Sequence, residues 1–592
     1  MPEKNIPNIF LHRLFSSQKN QIILIICSIC FCYFHTFDVP FYYDDYLSIL
    51  GNVAIQEFNL HNLWEQYSAR FIGYITFALN YRVHGFNIFG YHLLNIAIHI
   101  ANSILVFFIC KLLLSTPLIA KNTPSNLKKW FPLFCALLFA LHPLQIQAIT
   151  YITQRLASLS AFFYLVSIYC FLKARSGNSN KIQLIFAICT ISAFLLAFFT
   201  KQNALTAPLI WLIIDIVCFP QKINRHIGIF TFGIFSCVLA YICIPLISDQ
   251  TLFQFIDQKT RETTLFSRKE YFLVQMHVIL DYIIKFFAPY ELTLNYEFDT
   301  PQSFLQLSTL SKTFIHFSLL SFGILFVRKL PLVSLGIFFY YASHLIESSV
   351  IPIRDFGFDH RTYLPNFGLC LATSWIMAKL LAIHPTRNLA TAIIFLFTIL
   401  AILTWQRNNT WRDPIAFFTS ETKVLPDSFR AHCFLGQSYF ESGRTSEALS
   451  TYEKAWQMRS NDVQRGNNTM QSCATNFAST LQQEGDLRRA LTLINSLNLN
   501  DFTAENRSKI YNTLGNIYAL RNSFSRAQEY YERGLELVPS STEALSNLAK
   551  LKILTGELQT SLNLFQQLKE VDPDNEDARI GLEYLQNLLS NP

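Results

Sequence analysis

The chain has 592 residues, 51% of them hydrophobic and only 15% charged, with 55 phenylalanines. Soluble domains carry about 25% charged residues, so this composition excludes an ordinary soluble protein and describes a membrane protein with a soluble part attached. The formal charge of +7 does not mark a nucleic-acid binder, because Lys and Arg lie mainly in short loops between apolar runs, where they set topology.

The first apolar run, 20–37, ends in His35, Thr36, Phe37 and Asp38 without a small-residue cleavage site, so it is expected to stay as a span. Directly after it comes Tyr42-Tyr43-Asp44-Asp45-Tyr46. Further apolar runs of span length follow near 88–112, 130–148, 156–172, 182–199, 204–219, 227–246, 308–327, 331–350, 365–382 and 389–405, about eleven in all. Their loops test the placement. Lys121, Lys128 and Lys129, then Lys173, Arg175 and Lys181, then Lys222 and Arg225, then Arg328 and Lys329, then Arg387 all fall on the side of Lys4, Arg13 and Lys19. The excess of positive charge makes that side, and the N-terminus, cytoplasmic.

The opposite side receives three segments: 38–87, with Asp44 and Asp45; 247–306, with an apolar stretch at 271–288 expected to be re-entrant or interfacial; and 351–364. An odd number of spans also puts everything after Trp405 there. The 13 cysteines, among them Cys27, Cys30, Cys32, Cys110, Cys135, Cys170 and Cys189 within apolar runs, show no disulfide framework and no zinc spacing.

From about 411 the character changes to a soluble, helical repeat. Gly436, Tyr439, Ala448, Tyr452 and Ala455 fit a 34-residue helix–turn–helix unit, as do Tyr511, Leu514, Gly515, Tyr518, Ala527, Tyr531 and Pro539, and then Leu545, Leu548, Ala549, Gly556, Phe565 and Pro573. A weaker unit uses Ala478, Leu481, Gly485 and Ala490, and Phe418 with Pro426 forms the second half of a leading one. These are tetratricopeptide repeats, whose small residues let paired helices approach while aromatics fill the layer between them. The fold expected is therefore all-α: a polytopic membrane domain over 1–406, then a repeat solenoid over 411–592 on the outer face.

Three sets of residues carry candidate chemistry. Asp44 and Asp45 are either a solvated pair at a turn or a general base with a supporting neighbour. Transfer of a sugar from a lipid phosphate suits the second reading: the leaving group needs no acid, the acceptor hydroxyl needs a base, and the transition state is oxocarbenium-like. Arg70, Arg155, Lys201, Arg354 and Arg361 all fall at outer ends of spans or in outer loops, against the positive-inside trend. They either meet lipid headgroups or clamp a phosphate, for which guanidinium offers paired hydrogen bonds. Of the histidines, His92 and His99 share a helical face and suit packing, whereas His142, ending a span, and His360 are site candidates. No zincin motif, phosphate-cradling glycine loop or nucleophile elbow is present.

The order of these motifs resembles the transmembrane and tetratricopeptide-repeat-containing O-mannosyltransferases and their bacterial relatives, of the C-fold class of lipid-phosphosugar-dependent glycosyltransferases. The matching segments are Tyr43-Asp44-Asp45; Arg70 through Leu79-Asn80-Tyr81 and His84-Gly85; Gly90-Tyr91-His92-Leu93-Leu94-Asn95 with His99; Phe139-Ala140-Leu141-His142-Pro143 with Arg155; Lys201-Gln202-Asn203; and Arg361-Thr362-Tyr363-Leu364-Pro365, followed by the Trp411 segment and the repeats. The resemblance implies a catalytic Asp in the first outer loop, here Asp44 with Asp45 as alternative or support. It also implies a polyprenyl- or dolichyl-phosphate sugar donor and Ser or Thr acceptors, with Arg155, Lys201 and Arg361 holding the donor phosphate alongside Arg70. Two positions depart from the family pattern: Gln202 stands where an acid commonly follows the Lys, and His360 where an acid commonly precedes the Arg.

The function expected is transfer of a sugar from a polyprenyl-phosphate donor to Ser or Thr of a protein, with the repeats recruiting that protein. The alternatives are transfer to a lipid or glycan, and a non-catalytic anchored scaffold. No protein-bound metal is assigned and no cofactor is required, with a divalent cation left open. The expected partners are the donor, the acceptor protein and membrane lipids, with no nucleic acid. The expected location is a bacterial inner membrane with periplasmic repeats, the endoplasmic reticulum being the alternative.

Overall fold

A computed structural model describes residues 17–120, 125–220, 263, 265–298, 300–301, 303–459 and 467–590. The described residues form helices and loops, and their one pairing of extended backbone is an isolated bridge between Tyr296 and Gly357. Two compact units result, Met1–Asp413 and Pro414–Pro592.

The longer helices of the first unit are α1 (Gln18–Cys32), α2 (Phe71–His84), α3 (Ile88–Leu114), α4 (Ser125–Leu141), α5 (Arg155–Ser176), α6 (Asn180–Phe198), α7 (Ala207–Cys218), α8 (Arg268–Phe287), α9 (Leu307–Leu325), α10 (Pro331–His344), α11 (Asn366–Ile383) and α12 (Arg387–Thr410). Polar residues at their starts define the ends. Asn87, Ser179 and Thr386 each accept a backbone N–H from the first turn of α3, α6 and α12. α3, α4 and α5 pack together at the centre, α11 lies on α4, and α12 on α1. α10 and α11 approach so closely that a Cβ on Gly336 would lie 2.4 Å from the Gly368 carbonyl oxygen, so both positions require glycine.

Among the described residues, six helices are long and apolar enough to cross a membrane, or seven if Leu127–Leu141 and Pro143–Thr150, bent by 56°, make one span. This is fewer than the eleven expected. Segment 227–246 lies outside the described residues. α7 is 12 residues long and α10 is 14, both well short of the roughly 20 that cross a bilayer. In α9, Lys312, His316 and several Ser and Thr dilute the apolar run. The stretch 271–288 forms a single uninterrupted helix, α8, opened by a reciprocal Ser267–Glu270 cap, and its Tyr271, Val274, Val278 and Tyr282 are buried against Tyr296 and Phe356.

The second unit pairs α13 (Pro414–Val424) with α14 (Phe429–Glu441), and continues through α15 (Thr445–Met458), α16 (Asn467–Gln483), α17 (Leu487–Asn495), α18 (Ala504–Leu520), α19 (Phe524–Leu537), α20 (Thr542–Leu554), α21 (Leu558–Val571) and α22 (Glu576–Ser590). The motif residues do what their spacing demands. A Cβ on Gly515 would lie 2.3 Å from the Tyr531 ring, so the glycine seats the aromatic of its own repeat. Phe418 stacks on Phe434 at 5.3 Å, filling the leading half-repeat. One expectation is corrected: Cys433 on α14 and Cys473 on α16 are joined in a disulfide, so two of the cysteines do form a cross-link. The pair escaped detection because 40 residues separate the partners.

Candidate active site

The acidic loop follows the first helix, and it buries one of the two adjacent acids while leaving the other exposed. Tyr43 adopts a left-handed conformation at φ 47°, a strained state for a tyrosine. The Asp45 N–H then donates to the Tyr42 carbonyl at 2.8 Å, closing a tight turn. Asp45 is fully buried: its Oδ2 accepts the Tyr42 N–H at 3.0 Å and its Oδ1 the Thr153 N–H at 2.8 Å. Burial pushes its carboxyl up to about 7, against the pull of those two donors. Asp44 is exposed, and its backbone N–H donates to the Tyr151 hydroxyl at 2.7 Å. Asp45 therefore pins the loop to the segment before α5, while Asp44 is exposed.

The loop is also fixed to the end of α12. The Tyr42 hydroxyl donates to the Trp411 carbonyl at 2.7 Å. The Asn408 side chain donates to Thr36 Oγ1 at 2.7 Å and accepts from Thr150 Oγ1 at 2.5 Å. The end of the first helix, the break after α4 and the end of α12 thus meet in one buried polar knot.

The cations divide into two kinds. Arg155 is engaged within the protein itself. It is fully buried, with Nε donating to Asn95 Oδ1 (2.6 Å) and the terminal nitrogens to the carbonyls of Thr76 (3.2 Å) and Tyr91 (3.0 Å). The Phe77 ring covers its guanidinium at 4.6 Å. A side chain this fully committed ties α2, α3 and α5 together. His142 is likewise structural: Nδ1 accepts the Leu144 N–H at 3.2 Å, which leaves Nε2–H to donate to the Phe286 carbonyl at 2.8 Å, and the ring stacks on Phe286. His92 bonds the Val39 carbonyl, and His99 bonds both Tyr363 and the Ala140 carbonyl, which suits packing. Arg354 is exposed.

Arg70, Lys201 and Arg361 come together from three separate segments, each within electrostatic reach of Lys201 or His360. Lys201 pairs with Glu347 at 2.5 Å, in a nearly buried contact. Arg361 donates to the carbonyls of Phe356 (3.2 Å) and Asp355 (3.0 Å) and lies 3.4 Å from the Tyr271 hydroxyl, which itself donates to the Glu347 carbonyl at 2.9 Å. The Arg70 guanidinium is exposed and forms no hydrogen bond or ion pair with the described residues. Burial lowers the Lys201 ammonium, and Glu347 opposes the shift. Burial alone would raise the Glu347 carboxyl, but Lys201 and Arg361 more than offset it and hold it below the usual range.

His360 completes the cluster. Its backbone N–H and Nδ1–H both donate to Gln147 Oε1, at 2.7 and 3.0 Å, leaving Nε2 as an acceptor. Burial first, then Lys201, Arg361 and Arg70, hold it well below the ordinary imidazole range, so it is neutral at physiological pH. Gln147 is in turn fixed by its donation to the Leu294 carbonyl at 2.6 Å.

Tyr74 connects the two halves, since its hydroxyl lies within electrostatic reach of both Asp44 and Arg70. The arrangement is an exposed carboxylate on one side and a cationic cluster on the other. Sequence reasoning missed Glu347, Gln147 and Tyr271. The signal for Glu347 was indirect: acids were absent at Gln202 and His360, and the missing carboxylate arrives beside Lys201 from the segment after α10. Among the described residues no three His, Cys, Asp or Glu side chains gather to hold a metal.

Comparison with known proteins agrees with the resemblance read from the sequence. A tetratricopeptide-repeat profile matches residues 429–462 and 508–540. The chain is 23% identical over 461 residues to a protein O-mannosyl-transferase of Caenorhabditis elegans, covering 74% of this chain and 62% of that one. It is 20% and 22% identical to the mouse and human proteins named protein O-mannosyl-transferase TMTC3, covering 95% and 97% of this chain and 65% and 66% of theirs. The chain is thus homologous along most of its length to transmembrane, repeat-containing O-mannosyltransferases, and it spans just under two thirds of the length of these curated relatives.

Proposed function

We propose that the protein is an integral-membrane glycosyltransferase that moves a sugar, mannose by analogy with the relatives' names, from a polyprenyl-phosphate donor to a Ser or Thr hydroxyl of a protein. The observation that carries this reading is the exposed Asp44, with Tyr74 in electrostatic reach of both Asp44 and Arg70, and Arg70 and Arg361 in turn within reach of Lys201. Asp44 takes the proton from the acceptor oxygen as that oxygen attacks the anomeric carbon. The bond from that carbon to the phosphate oxygen breaks, and the lipid phosphate changes from a singly charged diester to a monoester of higher charge. Lys201, Arg361 and the unpaired Arg70 stabilise that added charge where it develops, which favours the transition state over the bound donor. His360, neutral, offers Nε2 to a sugar hydroxyl. Arg155, Asp45 and His142 hold the frame.

The repeats recruit the acceptor protein, the N-terminus is cytoplasmic, and the site opens to the periplasm or lumen. Glycopeptide mass spectrometry of membrane and secreted proteins from wild type, a deletion strain and Asp44→Asn tests the reading. Loss of a hexose mass from Ser or Thr in both mutants is expected. Intact glycopeptides in both, with an altered glycolipid fraction, would reject the protein acceptor.

A further inference from the structure

The backbone around Asp44 is irregular on both sides. Before it, Tyr43 takes the left-handed conformation at φ 47°. After it, Tyr46–Leu50 winds as a single π-helical turn, closed by the Gly51 N–H on the Tyr46 carbonyl at 2.8 Å. A tyrosine stays left-handed only where its surroundings hold it there. Two contacts from the short segment before α5 help to do so. Thr153 donates its N–H to the Asp45 carboxylate at 2.8 Å, which anchors the residue after Asp44. The Tyr151 hydroxyl accepts the N–H of Asp44 itself at 2.7 Å.

Tyr151 is built as a fixed post. It is 1% exposed, and its ring lies against Trp411 at 6.2 Å. The carbonyls of Ile149 and Ile152, on either side of it, are met by the Asn95 side-chain amide at 3.0 and 3.4 Å. Asn95 is in turn held by Arg155, whose Nε donates to its Oδ1 at 2.6 Å. A chain of buried contacts thus runs from α5 through α3 to the segment that carries Tyr151, and it ends on the main chain of an exposed acid. The reaction described above gives this hydroxyl no task, although a base displaced by about 1 Å can lose about 10²-fold in rate.

We propose that Tyr151 is a positioning residue for the transfer: its hydroxyl fixes the Asp44 backbone, and through it the place from which the carboxylate meets the acceptor hydroxyl. The proposal rests on Asp44 acting as the base. Tyr151→Phe keeps the ring in its buried place and removes the one atom that holds the Asp44 N–H. That N–H then turns to water, and the left-handed turn at Tyr43 relaxes. Donor binding is left to Lys201, Arg361 and Arg70, so kcat should fall about 10–100-fold while the donor KM changes little.

The test uses the purified full chain, with polyprenyl-phosphate mannose as donor. The acceptor is an unmodified Ser/Thr peptide from a protein that loses its hexose in the deletion strain. Tyr151→Phe, with a melting temperature close to wild type, should show the fall in kcat. Asp44→Asn with Tyr151→Phe should be no slower than Asp44→Asn alone, because the tyrosine acts only through the acid. A double variant slower by the full Tyr151→Phe factor would overturn the positioning role, as would a raised donor KM at unchanged kcat. Wild-type kcat in Tyr151→Phe beside an inactive Asp44→Asn would overturn the proposal and leave the base in place; wild-type rates in both would reject the base itself. Hydrogen–deuterium exchange reads the contact without any substrate. The Asp44 amide should be protected in wild type and exchange faster in Tyr151→Phe. An unprotected Asp44 amide in wild type would overturn the hydrogen bond on which the proposal stands, whether or not the variant folds.

Discussion

The two units spend their charged residues differently. In the repeats many ion pairs are local and exposed: Lys509 with Glu505, Arg533 with Glu529 and Arg444 with Glu447 all lie within one helical turn. In the first unit two pairs are nearly buried and join distant segments, Lys201 with Glu347 and Arg175 with Asp215. Exposed pairs contribute little because water competes for both partners. Buried charges are costly unless satisfied, so each buried pair fixes its surroundings and punishes removal of one partner.

Substitutions should separate the two regimes. Arg155→Ala strands the Asn95 side chain and the Thr76 and Tyr91 carbonyls inside the bundle, and should cost about 3–5 kcal/mol or more, read as loss of monodisperse protein after detergent extraction. Arg155→Lys should not restore it, because one ammonium cannot span those acceptors; full recovery by Lys would make Arg155 a replaceable charge.

Glu347→Gln leaves Lys201 without its counter-charge and should cost about 3 kcal/mol at neutral pH. The pH dependence follows from the depressed Glu347 carboxyl. Its contribution is complete above the unfolded value of 4.5 and is lost as pH falls through the lower folded value. Wild type should therefore lose stability on acidification below about pH 4.5, and Glu347→Gln should lack that component in melting curves taken across the range. Equal acid sensitivity in both proteins would place the titrating group elsewhere.

Asp45→Asn keeps the shape but turns one acceptor into a donor facing a backbone N–H, for a loss of about 1–3 kcal/mol, measurable as a lowered melting temperature. At the small end, Lys509→Ala in the repeats should change stability by no more than about 0.5 kcal/mol in chemical denaturation. A larger loss there would erase the contrast between the units.

What the sequence made legible follows the same division. The repeats were readable because their contacts are short-range and periodic: Gly515 and Tyr531 touch within one repeat, and the motif spacing states as much. Asp44 was readable because a pair of acids after a span is rare enough to stand out. The contacts of Arg155 were not legible because position at a helix end says nothing about whether a guanidinium is already engaged, and its partners come from α2 and α3. Glu347 was invisible because its partner Lys201 is far away in the chain. Among the described residues fewer spans are found than expected because apolar runs such as α7 and α10 satisfy hydropathy yet form helices of 12 and 14 residues.

The most direct test is the rate of sugar transfer by Asp44→Asn in a purified protein whose melting temperature matches wild type. The account predicts a fall of about 10²–10⁴-fold with little loss of stability, because Asp44 is exposed. Transfer at the wild-type rate in that protein would contradict it and remove Asp44 as the base.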